Sequence, residues 1–287
     1  MAVLKETSSE FVNSVVKPRL KNSRKGDNGK VLVVGGSWAF HGAPFLASMS
    51  ALRSGVDLVY VAAPKPVAFT IRALSPDLIV LPLPDLKFTQ GCAHKLIKWL
   101  PNVNCVIIGP GLGKGCERGL GILIRELKLK SVPMVLDADA LHYDIVRSLN
   151  DKRHVITPHV GEFSRIFDVI VPDSIEERCS MVLSKAKEVN VTILLKGQID
   201  IISDGEKILL NRTGSPAMTV GGTGDVLSGI VGALIAKGVQ SFEAAASGAY
   251  LNGRVGEVVY EKKGFHMIAS DLIEMLPFIL KQYDKVE

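Results

Sequence analysis

Aromatic residues are scarce in this chain, at 6% of 287 residues, and cysteines number only four. So few rings argue against an aromatic-rich binding surface. Cys92, Cys105, Cys116 and Cys179 show no Cys-x-x-Cys spacing, which excludes a zinc ribbon and a disulfide scaffold and points to a reducing, intracellular setting. Charge of one sign is also in short supply: 34 basic against 29 acidic side chains leave a net charge of +5. With no recognisable reader motif, nucleic acid is not an expected partner. The basic residues that do cluster, Lys17, Arg19, Lys21, Arg24, Lys25 and Lys30, read as a solvated surface, and residues 1–24 are expected to form an N-terminal arm or helix. Glu6 and Glu10 and the missing apolar stretch argue against a signal or transit peptide, so a cytoplasmic location is expected. Residues 31–52 carry no ionised side chain, but Gly35, Gly36, Ser37, His41, Gly42 and Pro44 break them into strand, turn and helix rather than a membrane span. No Pro- or Ser-rich linker, repeat or low-complexity tract divides the chain.

What is present is an ordinary globular balance, 47% apolar and 22% charged, with 27 glycines. That excludes disordered, coiled-coil and fibrous classes. Short β-branched runs at 31–34, 57–62, 77–81, 105–109, 133–137 and 154–157 leave room for helices at 44–54, 91–99, 116–129 and 139–149. Such alternation predicts a mostly parallel sheet covered by helices on both faces. Beyond a helix over 174–189 come three apolar runs, TILLKG, IDIIS and KILLN, and Asp204-Gly205 between the last two signals a hairpin, hence an antiparallel edge. Three helices, about 225–237, 242–260 and 270–282, complete an α/β chain expected to form one domain over 25–287.

The most informative stretch is NRTGSPAMTVGGTGDVLSG at 211–229. Gly221, Gly222 and Gly224 lie where a helix should begin, so free amides and the positive dipole end would form an anion hole. Asp225, in the first turn, would sit beside a reacting phosphate and take a proton from an attacking hydroxyl. Because a helix N-terminus favours the carboxylate, Asp225 is expected to be ionised at neutral pH. A bare helix-capping role is the alternative. Other nucleotide motifs fail: the glycines after residue 34 do not fit G-x-G-x-x-G, and Gly115 stands where a Walker A loop needs Ser or Thr. Asp137 and Asp139, at a strand end, read equally well as a paired-carboxylate site or as turn and N-cap residues.

Together, KGDNGKVLVVGGS, the helix start at Gly42-Ala43, GPGLG, LDADAL, TPHVGE, LLKG and the 211–225 block resemble the NAD(P)H-hydrate dehydratase family, a branch of the ribokinase-like superfamily, over nearly the whole chain from Lys25. The resemblance implies a ribokinase-like three-layer α/β sandwich, without the N-terminal epimerase domain fused in many relatives. It implies a repair reaction: the hydrated forms NADHX or NADPHX are phosphorylated on the new hydroxyl, phosphate is eliminated and the ring double bond returns. The co-substrate would be ADP, with ATP the alternative, together with Mg2+. By the same resemblance Ala43, Gly111, His159 and Asp225 contact the hydrate, and Lys196, Gly197, Gln198, Ile199, Asp200 and Gly224 hold the nucleotide. Gly222, Thr223 and Gly224 would stabilise the phosphoryl group in flight, with Asp225 as base. Glu162 occupies the place of a magnesium-side acid in sugar kinases of the fold, acting through water, but His159 replaces the Asn of that motif. By the same resemblance a homo-oligomer, for instance a tetramer, is the expected assembly. The rival reading is a small-molecule kinase that phosphorylates a hydroxymethyl group and stops there.

Overall fold

The computed structural model describes residues 5–287. Among them nine strands form a single sheet: β1 (Lys30–Val34), β2 (Leu58–Pro64), β3 (Ile79–Leu83), β4 (Cys105–Ile108), β5 (Met134–Leu136), β6 (Val155–Ile156), β7 (Thr192–Leu195), β8 (Asp200–Ser203) and β9 (Ile208–Asn211). The order is β3-β2-β1-β4-β5-β6-β7-β8-β9. Every pairing from β3 to β7 is parallel, and β8 and β9 add antiparallel at one edge, as Asp204-Gly205 predicts. The first four residues of the expected N-terminal arm lie outside the described residues.

Among the described residues eleven α-helices accompany the sheet: α1 (Ser9–Val15), α2 (Gly42–Arg53), α3 (Lys65–Leu74), α4 (Gln90–Trp99), α5 (Glu117–Leu129), α6 (Tyr143–Leu149), α7 (Val160–Phe167), α8 (Ile175–Val189), α9 (Thr223–Ala236), α10 (Ser241–Lys263) and α11 (Ala269–Leu280). Alternation along β1 sorts them into layers. Val31 and Val33 face a core built with α1–α3 and α9–α11, whereas Leu32 and Val34 face one built with α4–α8. Strands buried on both faces explain the unbroken apolar runs of the sequence.

Helix α9 is buried along its length from Val226 to Ala236 and wedges between α2, α10 and the sheet. Gly229 makes this possible: a Cβ there would strike the Ser50 hydroxyl and the Ala47 carbonyl of α2. Backbone therefore meets backbone, and even one methyl would cost about 1–3 kcal/mol of overpacking.

Two helices, α3 and α7, escape the sequence reading. Helix α3 contains Pro66 and a β-branched Val67, Thr70 and Ile71, which mute the helical signal; proline is tolerated there because it falls in the first turn. Helix α7 is capped by a histidine rather than Ser or Asp. Helix α1, two turns long, lies within the segment read as an arm or helix. Strand β3 is shifted two residues from its expected place.

Candidate active site

The chain runs β1, β2, β3 outward, then returns to place β4 on the other side of β1. Such a reversal leaves a crevice beyond the carboxyl ends of β1 and β4, where open α/β sheets take ligands. Gly36 donates to the Pro110 carbonyl at 2.8 Å, tying the two post-strand turns together. Gly111, at φ +67°, lies against Phe40 and Ala43: an added Cβ would come within 2.9 and 3.3 Å of their Cβ atoms. Ala43 and Gly111, distant in sequence, thus share one wall. One turn along α2 from Ala43, Leu46 abuts Gly222, so this wall continues into the start of α9.

Gly222 caps α9 with φ +99°, and a side chain there would collide with Leu46 and Ala269 at 2.6 and 2.8 Å. Only glycine allows that entry, which points the first amides of α9 outward. The Thr223 hydroxyl turns back to donate to the Met218 carbonyl at 2.8 Å, so Thr223 offers its backbone amide rather than its side chain. Asp225 follows in the first turn.

The adjoining parallel strands contribute the charged groups. At the end of β5, Asp137 is almost fully buried, and at the end of β7 the Lys196 ammonium donates to Asp137 Oδ1 at 2.9 Å. Lys196 is registered by its own amide, which donates to the Pro158 carbonyl at 2.8 Å beyond β6. Glu162 Oε2 lies 4.0 Å from the same ammonium. Burial opposes the charge on Lys196, but Asp137 and then Glu162 outweigh it, and its pKa is raised.

Asp225 corrects an expectation. Its pKa is raised to about 7, first because burial disfavours the carboxylate and then because Asp137 repels it; Lys196 pulls the other way without prevailing. The helix dipole does not keep Asp225 fully ionised at neutral pH, because desolvation and a second buried acid are stronger. A carboxyl near pH 7 is better matched to proton transfer than one fixed as an anion.

His159 caps α7, its Nδ1 accepting from the Gly161 and Glu162 amides at 3.0 and 3.3 Å, while Glu162 Oε2 accepts from the His159 amide at 2.8 Å. The ring is thereby assigned as the Nε2–H tautomer; Nε2 lies 3.6 Å from Glu162 Oε1, beyond hydrogen-bond length, on a side chain 59% exposed. Glu162 is therefore committed to the helix cap and to Lys196. Among the described residues no group of three or more His, Cys, Asp or Glu could hold a metal ion. A protein-only magnesium cage does not fit this site.

The remaining candidates meet in a cavity of about 640 Å³ lined by all of Lys196, Gly197, Gln198, Ile199 and Asp200 and by Thr223 and Gly224. Asp200 folds the turn, accepting from the Gly197 amide and from Asn211 at 3.0 Å each; burial raises its pKa despite those bonds. The opposite wall was not anticipated: Arg212, Thr213, Gly214, Met218, Asn252 and Gly253. Asn252 is buried with its Oδ1 unpartnered and its amide donating to the Thr223 carbonyl at 3.4 Å. Asp139, beside Asp137, serves a turn: its Oδ2 accepts from the Gly113 amide at 2.9 Å and so fixes the glycine turn after β4.

A mostly parallel sheet with an antiparallel edge, and a glycine-capped helix presenting amides and an acid beside a nucleotide-sized cavity, define a ribokinase-like protein. The solved ADP/ATP-dependent NAD(P)H-hydrate dehydratase of Bacillus subtilis, co-crystallised with ATP and Mg2+, superposes with a TM-score of 0.84 at 25% identity, covering 99% of this chain and 100% of that one. A hydroxyethylthiazole kinase from Pyrococcus horikoshii OT3 shares the fold at a TM-score of 0.64 and 18% identity, over 96% of each chain. The sequence model of the NAD(P)H-hydrate dehydratase family matches residues 31–278, and this chain belongs to that family. It is 49% identical to the ADP-dependent (S)-NAD(P)H-hydrate dehydratase of Cenarchaeum symbiosum, over 96% of both chains, and 45% identical to the enzyme of that name from Nitrosopumilus maritimus, over 98% of this chain and 99% of that one.

Proposed function

We propose that this chain dehydrates the hydrated forms of NADH or NADPH at the expense of ADP, releasing AMP and phosphate. The observation that carries the reading is Asp225, poised near neutrality in the first turn of a helix whose glycine cap turns its amides outward. The hydrate, resting against Ala43 and Gly111 with His159 Nε2–H as a donor, presents its ring hydroxyl to Asp225. As the hydroxyl oxygen bonds to the terminal phosphorus, its proton passes to the Asp225 carboxylate, and the bond from that phosphorus to the bridging oxygen breaks with its electrons leaving on AMP. The Gly222, Thr223 and Gly224 amides oppose the charge spread over the phosphoryl oxygens. In the second stage the ring carbon–oxygen bond breaks with its electrons leaving on phosphate, a proton leaves the neighbouring carbon, and the double bond is restored.

The 196–200 turn is the proposed seat of the nucleotide. Mg2+ would travel with the nucleotide phosphates, which supply the oxygens that the protein does not, and Glu162 would reach it only through water. One domain over 25–287, a homo-oligomer such as a tetramer and a cytoplasmic location complete the proposal; light scattering tests the assembly. Among the described residues no helix is long and apolar enough to cross a membrane.

Incubation with the hydrate, ADP and Mg2+ should restore nicotinamide absorbance and release AMP and phosphate in equal amounts. No recovery with ADP or ATP would overturn the reading. The fold shared with a hydroxyethylthiazole kinase favours a second one, phosphorylation of a hydroxymethyl group, which would leave a stable phosphoester in place of free phosphate.

A further inference from the structure

Lys196 stands in an unexpected place. Its side chain lines the nucleotide cavity, and its ammonium lies at the start of α9: a Cβ added at Gly224 would be 3.3 Å from Nζ and 4.0 Å from Asp137 Oδ2. A cation at the positive end of a helix is electrostatically misplaced. It is held there by Asp137, whose carboxylate is 3% exposed and bonds it at 2.9 Å, while the competing acid, Glu162, stays at 4.0 Å. Asp137 in turn is fixed by its backbone: its amide donates to the Ile108 carbonyl at 3.0 Å, and its own carbonyl packs so tightly on Gly109 that no side chain fits there.

We propose that Asp137 is a positioning residue that holds the Lys196 ammonium in the mouth of the Gly222–Gly224 anion hole, where it meets the phosphoryl group being transferred rather than the phosphate nearest the adenosine. The inference rests on the proposed reaction and deepens it, because the same residues then divide into two tasks. The amides of α9 and the ammonium converge on one set of oxygens from two sides. Gly197 to Asp200, further along the turn, are left for the part of the nucleotide that leaves as AMP. Without the Asp137 charge, Lys196 turns to Glu162 and leaves the hole.

The test combines calorimetry and steady-state kinetics on the full chain, using Asp137→Asn, which is nearly isosteric, and Lys196→Met. Both variants should bind AMP within about twofold of wild type yet bind ADP about tenfold more weakly, because only ADP carries the group that Lys196 meets. With hydrate as substrate, kcat should fall about 100-fold beyond the change in KM for ADP. The double variant should be no worse than Lys196→Met alone, since Asp137 acts through the lysine. A loss of AMP affinity in step with ADP would place the ammonium on the adenosine side and overturn the proposal; so would an Asp137→Asn enzyme with wild-type ADP affinity and kcat. If wild type fails to turn over the hydrate while the ADP and AMP affinities still divide this way, the reaction falls and the placement of Lys196 stands. Either variant alone reads the division between AMP and ADP, so misfolding of one leaves the other decisive.

Discussion

Asp57 and Asp225 lie toward opposite ends of the same sheet, and their carboxyls behave in opposite ways. Asp57, just before β2, accepts from the Gly26 and Asn28 amides at 2.8 and 3.0 Å, from the Asn28 side chain and from Arg19 at 3.2 Å. Burial works against its charge, but the Asn28 and Gly26 amides, the Asn28 side chain and Arg19 together hold its pKa below the ordinary aspartate value. Asp225 has burial without such partners, a second acid for a neighbour and one shared lysine, and its pKa rises to about 7. The fold satisfies the carboxylate that ties the chain together and leaves unsatisfied the one that is to exchange a proton. Such contrasts locate chemistry better than charge counting does.

The largest effect that would break this contrast is on turnover. Asp225→Asn should lower kcat at least about 1000-fold while ADP affinity, read by calorimetry, stays within a few-fold; substantial residual activity would remove Asp225 from the base role. The next is the pH profile. The base must be ionised, so kcat/KM should fall about tenfold per pH unit below about 7, and an acid limb near pH 4 would show that Asp225 is not perturbed in solution.

At the other end, Asp57→Ala should leave kcat intact but strand the Gly26 and Asn28 amides, costing about 1–3 kcal/mol and several degrees in a thermal melt. Unchanged stability would show that this end is not held by its carboxylate. The smallest effect inverts the sign. The Asp225 carboxyl ionises near 3.8 in the unfolded chain and near 7 in the fold, so between those values the native state holds the extra proton and stability falls as pH rises. Asp225→Asn should therefore melt above wild type by a few degrees at pH 8, the gap closing toward pH 4, where a persistent gap would contradict the assignment.

The strands were legible because a parallel sheet buries both faces, so VLVV, CVII and TILL read as unbroken apolar runs. The hairpin announced itself through Asp204-Gly205. Helix α7 did not, because its cap is made by an imidazole, although Phe163, Ile166 and Phe167 carry the helical period and Glu162 stands at the third position of a capping box. The glycine cap of α9 and the turn at 196–200 could be read locally, and the structure brings both to one cavity. What could not be read is the pairing of Lys196 with Asp137, 59 positions away, or the neutral tendency of Asp225. Both depend on which strand ends become neighbours, and a motif carries no information about the acid that packs across from it.

The contact between α2 and α9 at Gly229 has a geometric consequence. Ala43 rides on α2 and the Gly222–Gly224 amides start α9, so the separation between the surfaces proposed for the hydrate and for the phosphoryl group is set by the width of a single hydrogen atom at position 229. A larger residue there would act like a shim driven between two jaws, altering the reach of one reactant to the other even in a protein that still folds. The stroke length of the proposed reaction is thus written into the interior of the molecule, a full turn beyond the residues that perform it.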